Sequence, residues 1–130
     1  MARSLKLLWT KPVTTKKTGD ITERYAGDFL VAQGLIIEEK NYTCRLGEID
    51  IIVKDADTYV FVEVKYRASM SFGGAISAIS TKKQQKIRKT AAIYLQQCGL
   101  NEYNTSCRFD VIALQGNINN LDITWLKNAF

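Results

Sequence analysis

Apolar residues recur along this chain with two different periods, and the switches between them outline a fold. From Thr18 to Gln33, the positions Tyr25, Ala26, Phe29, Leu30 and Ala32 fall at roughly helical spacing, which predicts an amphipathic helix. Gly34 suits the position just past its end. A short strand, Leu35 to Glu39, is expected next. The centre of the chain predicts two longer strands. One is Cys44 to Lys54, with Ile49, Ile51 and Val53 on one face. The other is Tyr59 to Arg67, rich in β-branched and aromatic residues. Asp55-Ala56-Asp57-Thr58 between them has the composition of a hairpin turn, and Gly73-Gly74 marks a later break.

A second helix is predicted over Thr81 to Gln97. Ile87, Ala91, Tyr94, Leu95 and Cys98 share one face, and Ser80 or Thr81 can cap its start. Strands Cys107 to Leu114 and Leu121 to Trp125, joined through Gly116-Asn117, complete the order α-β-β-β-α-β-β. Consecutive strands with tight turns and flanking helices point to an α/β (α+β) domain with a mixed central sheet. Residues 1–14 are expected to form a flexible basic arm, and residues 15–130 a single domain.

Composition narrows the chemistry. With 130 residues, 46% of them hydrophobic, the chain has enough apolar surface for one core. Its apolar runs are too short to span a bilayer. The start, basic and then apolar, lacks a cleavage site and an adequate apolar region, so a cytoplasmic protein is expected. Three cysteines, Cys44, Cys98 and Cys107, show no C-x-x-C spacing, which argues against a disulfide framework or a zinc cluster. Histidine is absent. That excludes Ser-His and Cys-His triads and His-ligated zinc, and leaves hydrolysis to carboxylates, lysine or an oxygen-ligated metal. The net charge of +5 fits a polyanionic partner.

Side chains two apart on a strand point the same way. Glu63 and Lys65 therefore share one face of their strand, with Val62, Val64 and Tyr66 on the other. Counting back from a turn at Ala56 and Asp57 brings Asp50, with Glu48 on its face, near Glu63; a slip of one residue would turn Asp50 away. Two carboxylates and a backbone carbonyl, that of Val64, suit Mg²⁺ or Mn²⁺, and Lys65 can orient an attacking water or stabilise developing charge. The structural alternative is a cross-strand ion pair on a solvated face. Against it stands the apolar run from Val60 to Val64, where an unpaired charge is costly. Glu23, at the border of the first helix's apolar face, can turn inward as a third carboxylate, or simply favour the start of a helix. The run Lys82, Lys83, Lys86, Arg88 and Lys89 opens the second helix. Lys82, Lys83, Lys86 and Lys89, with Arg45 and Arg67, could hold phosphates, or the run could be a solvated helix face.

The segments Gly47-Glu48-Ile49-Asp50-Ile51-Ile52 and Val60-Phe61-Val62-Glu63-Val64-Lys65 with Arg67 closely resemble the signature of the YraN-like family, small bacterial proteins of the restriction-endonuclease-like PD-(D/E)XK superfamily. Glu23 with Ala26, Asn41, Phe72-Gly73, Arg108-Phe109-Asp110-Val111 and Asn128-Ala129-Phe130 extend the resemblance over most of the chain from about Thr18. The set is also similar to that of archaeal Holliday-junction resolvases. The resemblance implies a restriction-endonuclease-like core and metal-dependent phosphodiester hydrolysis. It assigns Asp50 and Glu63 to the metal, Lys65 to catalysis and Glu23 to a supporting role. Thr43 stands where many relatives carry a basic residue, and Leu46-Gly47-Glu48-Ile49-Asp50 lacks the proline of the superfamily's first acidic motif. The expected partner is nucleic acid, DNA ahead of RNA and branched DNA among its forms, with a two-fold homodimer suited to symmetric cutting. The alternatives are a nucleic-acid-binding or adaptor domain on a nuclease fold with little activity, and a purely structural role for the carboxylates.

Overall fold

A computed structural model describes residues 15–68 and 79–130, with side chains from residue 18 onward. The expected basic arm, the Gly73-Gly74 break and Phe72 lie outside the described residues. The elements are α1 (Thr15–Ala32), β1 (Ile36–Cys44), β2 (Gly47–Asp55), β3 (Thr58–Arg67), α2 (Thr81–Gln97), β4 (Cys107–Asn117) and β5 (Asn120–Leu126). The expected α-β-β-β-α-β-β order and mixed sheet are therefore what forms. The strands lie in sequence order, β1-β2-β3-β4-β5. All neighbours are antiparallel except β3 and β4. A parallel pair cannot be joined by a tight turn, and the chain segment between β3 and β4 contains α2.

Each helix covers one face of the sheet. Ala26 and Leu30 of α1 pack with Leu35, Ile51, Val53, Val60, Val62, Ile112 and Leu114. Ile87, Ala91, Tyr94 and Leu95 of α2 pack with Tyr42, Ile49, Ile52, Phe61 and Phe109 on the other side. Burial of these two apolar layers is the main driving force for the three-layer arrangement. Helix α1 ends as the pattern predicts. Gly34 has φ 94, and the bonds Gly34 N–H to Val31 C=O and Leu35 N–H to Leu30 C=O form a Schellman motif. Ser80 caps α2, its side chain accepting from the Lys83 N–H.

Several local expectations are corrected. Helix α1 starts three residues early. Tyr25 is exposed, because the stripe facing the sheet is centred on Ala26 and Leu30. Cys98 is exposed at the end of α2, and Thr90 takes a buried place on the helix face instead. Strand β1 continues to Cys44, and Arg45-Leu46 make a two-residue turn into β2. Gly47 is needed just past that turn. A Cβ there would meet Thr90 Oγ1 at 3.0 Å, so only glycine lets the turn approach α2 so closely.

The most consequential correction concerns the face shared by Ile49, Ile51 and Val53. Ile51 and Val53 face α1, but Ile49 faces α2 with Ile52. Alternation therefore breaks at Asp50. Around it, the β1–β2 ladder pairs Lys40 with Ile51 and Tyr42 with Ile49 and leaves both Asn41 and Asp50 unpaired. Asn41 adopts φ 53, a left-handed conformation in which asparagine is enriched.

Candidate functional site

Strands β2 and β3 pair from Asp55 and Thr58 as far as Ile51 and Val62 and then part. Strand β3 continues to Arg67, still held by β4 through the Arg67–Gln115 pair. Past Val62, the edge of β3 that faced β2 loses its ladder partner. Asp50 replaces it: one carboxylate oxygen, Oδ2, accepts the Val64 N–H at 2.8 Å. In an extended strand a residue's N–H and C=O project to the same side, so the Val64 carbonyl faces the same opening.

The opening is a cleft of about 420 Å³. It is lined by Thr18, Gly19, Thr22 and Glu23 of α1, Asp50 of β2, Glu63, Val64, Lys65 and Tyr66 of β3, and Lys83 of α2. The register expectation holds: continuing the Ile51–Val62 pairing by one step sets Asp50 opposite Glu63. The structure thus brings Asp50, Glu63, Val64 and Lys65 together, and Glu23 reaches the same cleft from α1. Among the described residues, however, no three acidic or cysteine side chains are grouped closely enough to hold one metal ion. Glu23 stands on the wall that α1 forms.

Glu63 is 4% exposed, because β3 is the middle strand and α2 covers this face. The face is therefore not solvated, as a surface ion pair would require. Glu63 is ion-paired with the Lys83 ammonium across the inter-layer gap, and no ion pair engages Lys65 among the described residues. The Asp50 carboxyl is pushed up to about 7, first by burial, then by the charge of Glu63 and a hydrogen bond to it; the Val64 N–H and Lys83 pull the other way. Burial and the charge of Glu63 thus favour the protonated form of Asp50. Burial, and then the charge of Asp50, also raises Glu23. Burial works to lower Lys83, but its hydrogen bond and charge interaction with Glu63 prevail and raise it.

The basic residues divide into groups. Lys83 enters the cleft. Lys82, Lys83 and Lys86 line an adjoining groove with Gly47 and Glu48, and Lys86 also lines a depression with Arg45 at the β1–β2 turn. Lys89, farther along α2, and Arg67, at the end of β3, are exposed outside these depressions. Arg88 turns away, its guanidinium 4.9 Å from the centre of the Phe109 ring and 5.4 Å from that of Phe130. Sequence reasoning placed Lys83 among the phosphate contacts and missed its contact with Glu63, which depends on how α2 crosses the sheet.

Asp110, in the Arg108-Phe109-Asp110-Val111 segment, lies outside the cleft and is fully buried. Its carboxylate accepts from Arg108 Nε at 3.1 Å, Trp125 Nε1 at 2.9 Å and the Asn128 N–H at 2.8 Å. This is a clamp that ties the chain's end to β4. No helix among the described residues is long and apolar enough to cross a membrane.

Comparison with known proteins gives a family. Residues 22–114 match the model described as "Uncharacterised protein family UPF0102". A "UPF0102 protein" from Colwellia psychrerythraea is 54% identical over 129 residues, covering 95% of this chain and 100% of the relative. Another from Nitrosomonas eutropha is 45% identical, covering 90% of this chain and 96% of the relative. One from Yersinia pseudotuberculosis is 42% identical, covering 91% and 97%. With the matched segment running from α1 through most of β4 and taking in every cleft residue from Thr22 to Lys83, this chain belongs to the UPF0102 family.

Proposed function

We propose that the cleft is a metal-dependent endonuclease centre that hydrolyses nucleic-acid phosphodiesters, in the manner of the PD-(D/E)XK superfamily. The observation that carries this reading is the meeting of Asp50 and buried Glu63 in one cleft where β2 and β3 part, with Lys65 on the same face as Glu63. Carboxylates that line one cleft offer their oxygen lone pairs to a divalent cation, which competes there with protons. The donor set fits Mg²⁺ or Mn²⁺: carboxylate oxygens of Asp50 and Glu63 and the Val64 carbonyl, all hard ligands without sulfur or imidazole.

The ion, when bound, supplies an activated water and charge neutralisation at the phosphate. The remaining work falls to the chain. The Lys65 ammonium, which has no ion pair among the described residues, would orient the attacking oxygen or stabilise charge on the phosphate. Glu23, across the cleft, can hold a water by hydrogen bonding. Lys82, Lys86 and Arg45 line the depressions leading away from the cleft and suit neighbouring phosphates, with Lys89 and Arg67 farther out. DNA is the favoured substrate and branched DNA a candidate form, for which two-fold assembly of the chain would present two clefts.

The test is cleavage of a panel of linear, branched and single-stranded DNA and of RNA, with Mn²⁺, by the wild type, Asp50→Ala and Lys65→Ala. Each substitution should lower the rate by roughly a hundredfold or more. Equal cleavage by all three proteins would mean a contaminant and would sink the proposal. One observation favours a second reading, a nucleic-acid-binding domain with little activity: no three-carboxylate group forms among the described residues, and Lys83 already engages Glu63. That reading expects salt-sensitive binding without metal-dependent cutting.

A further inference from the structure

Lys83 and Glu63 are unequal partners. Glu63 is sunk beneath α2, whereas the Lys83 side chain is 45% exposed. The backbone of Lys83 is fixed, because its N–H donates to the Ser80 side chain at 3.1 Å and the next turn of α2 is anchored by buried Ile87 and Thr90. Its side chain is a flexible stem ending in a point charge. That stem lines both the carboxylate cleft and the adjoining groove with Lys82 and Lys86.

A buried carboxylate that stays ionised needs a positive partner. Without a metal, that partner is Lys83. With a divalent ion on Glu63, an ammonium at the same carboxylate would be held against strong repulsion, and the side chain has an alternative position open to it in the groove. Resting on the metal-centre reading above, we propose that Lys83 is an exchangeable resident cation. Its ammonium occupies the seat that a divalent metal takes on Glu63, and the metal's arrival releases it into the groove to bind a nucleic-acid phosphate. Metal and nucleic acid then favour each other's binding, because each draws on the position that the other leaves.

The test is Mn²⁺ titration calorimetry on the intact chain without nucleic acid, at about pH 8.5, where protons compete least for Asp50. Lys83→Met should bind Mn²⁺ roughly tenfold more tightly than the wild type. Lys86→Met makes the same change in net charge outside the cleft and should stay within about twofold. Lys83→Arg keeps the cation on Glu63 and should bind no more tightly than the wild type; it also guards against a Lys83→Met protein that folds poorly. A second readout follows the released arm. With Ca²⁺ present, the salt dependence of DNA binding should be shallower in Lys83→Met by about 0.9 in log–log slope, and in chelator the two slopes should match.

Unchanged or weaker Mn²⁺ binding by Lys83→Met, with the wild type still binding, overturns the exchange and leaves the metal centre standing. Equal tightening in Lys83→Met and Lys86→Met reduces the effect to bulk charge and also overturns it. Equal slope losses in Ca²⁺ and chelator refute the release. Absence of Mn²⁺ binding in every protein removes the metal centre and the exchange together.

Discussion

Replacing Asp50 by asparagine should make the protein, in chelator, more stable at alkaline pH while abolishing the proposed nuclease activity. The Asp50 carboxyl is raised from its ordinary 3.8 to about 7, chiefly by burial and by Glu63. For an acid raised on folding, the folded state holds the proton more tightly than the unfolded chain. Protonation of Asp50 therefore adds stability that is fully present below about pH 4 and is lost as pH climbs towards 7. Taken at face value, the loss is ~4 kcal/mol. Water entry and relaxation in a half-open cleft reduce it to about 2 kcal/mol. Asparagine mimics the protonated acid: its oxygen can accept the Val64 N–H and its amide can donate to Glu63. The assay is thermal unfolding of wild type and Asp50→Asn, followed by circular dichroism in chelator. Near pH 8 the variant should melt roughly 5–10 °C higher; near pH 4 the two should nearly coincide. A variant that is less stable near pH 8, or that gains equally at both pH values, would refute the account of Asp50 as a site residue held at a cost to the fold.

Other perturbations probe the frame that holds the cleft. Asp110→Ala leaves Arg108, the Trp125 indole and the Asn128 N–H without their shared acceptor, and should cost about 3–5 kcal/mol in a urea titration. Ala56 sits at φ 55 in the β2–β3 turn, so Ala56→Gly should gain about 0.5–1 kcal/mol by relieving left-handed strain, read as a higher urea midpoint at unchanged slope. Gly47→Ala presses a methyl group against Thr90 and should lose about 1–3 kcal/mol; nucleic-acid binding should weaken as well if the Arg45–Leu46 turn is displaced, which fluorescence anisotropy would detect.

Much of this protein could be read along the chain because the controlling physics is local. Helix α2 has the predicted limits, Thr81–Gln97, since a capping serine and an apolar stripe act within a few residues of one another. The shared face of Glu63 and Lys65 follows from the two-residue period of a strand, and the level of Asp50 with Glu63 follows from the turn that sets the register. What escaped the sequence depends on contacts between distant segments. Ile49 and Ile51 face opposite sides of the sheet where Asn41 and Asp50 are both missing from the β1–β2 ladder. The cleft exists because β2 leaves β3 after Ile51, and Asp50 takes up a stranded N–H. Lys83 meets Glu63 only once α2 is laid across the sheet. Residue types and their spacing determined which groups could form a centre. Tertiary packing decided how they meet, because it alone sets how dry Glu63 is, which cation answers it, and how strongly Asp50 holds its proton.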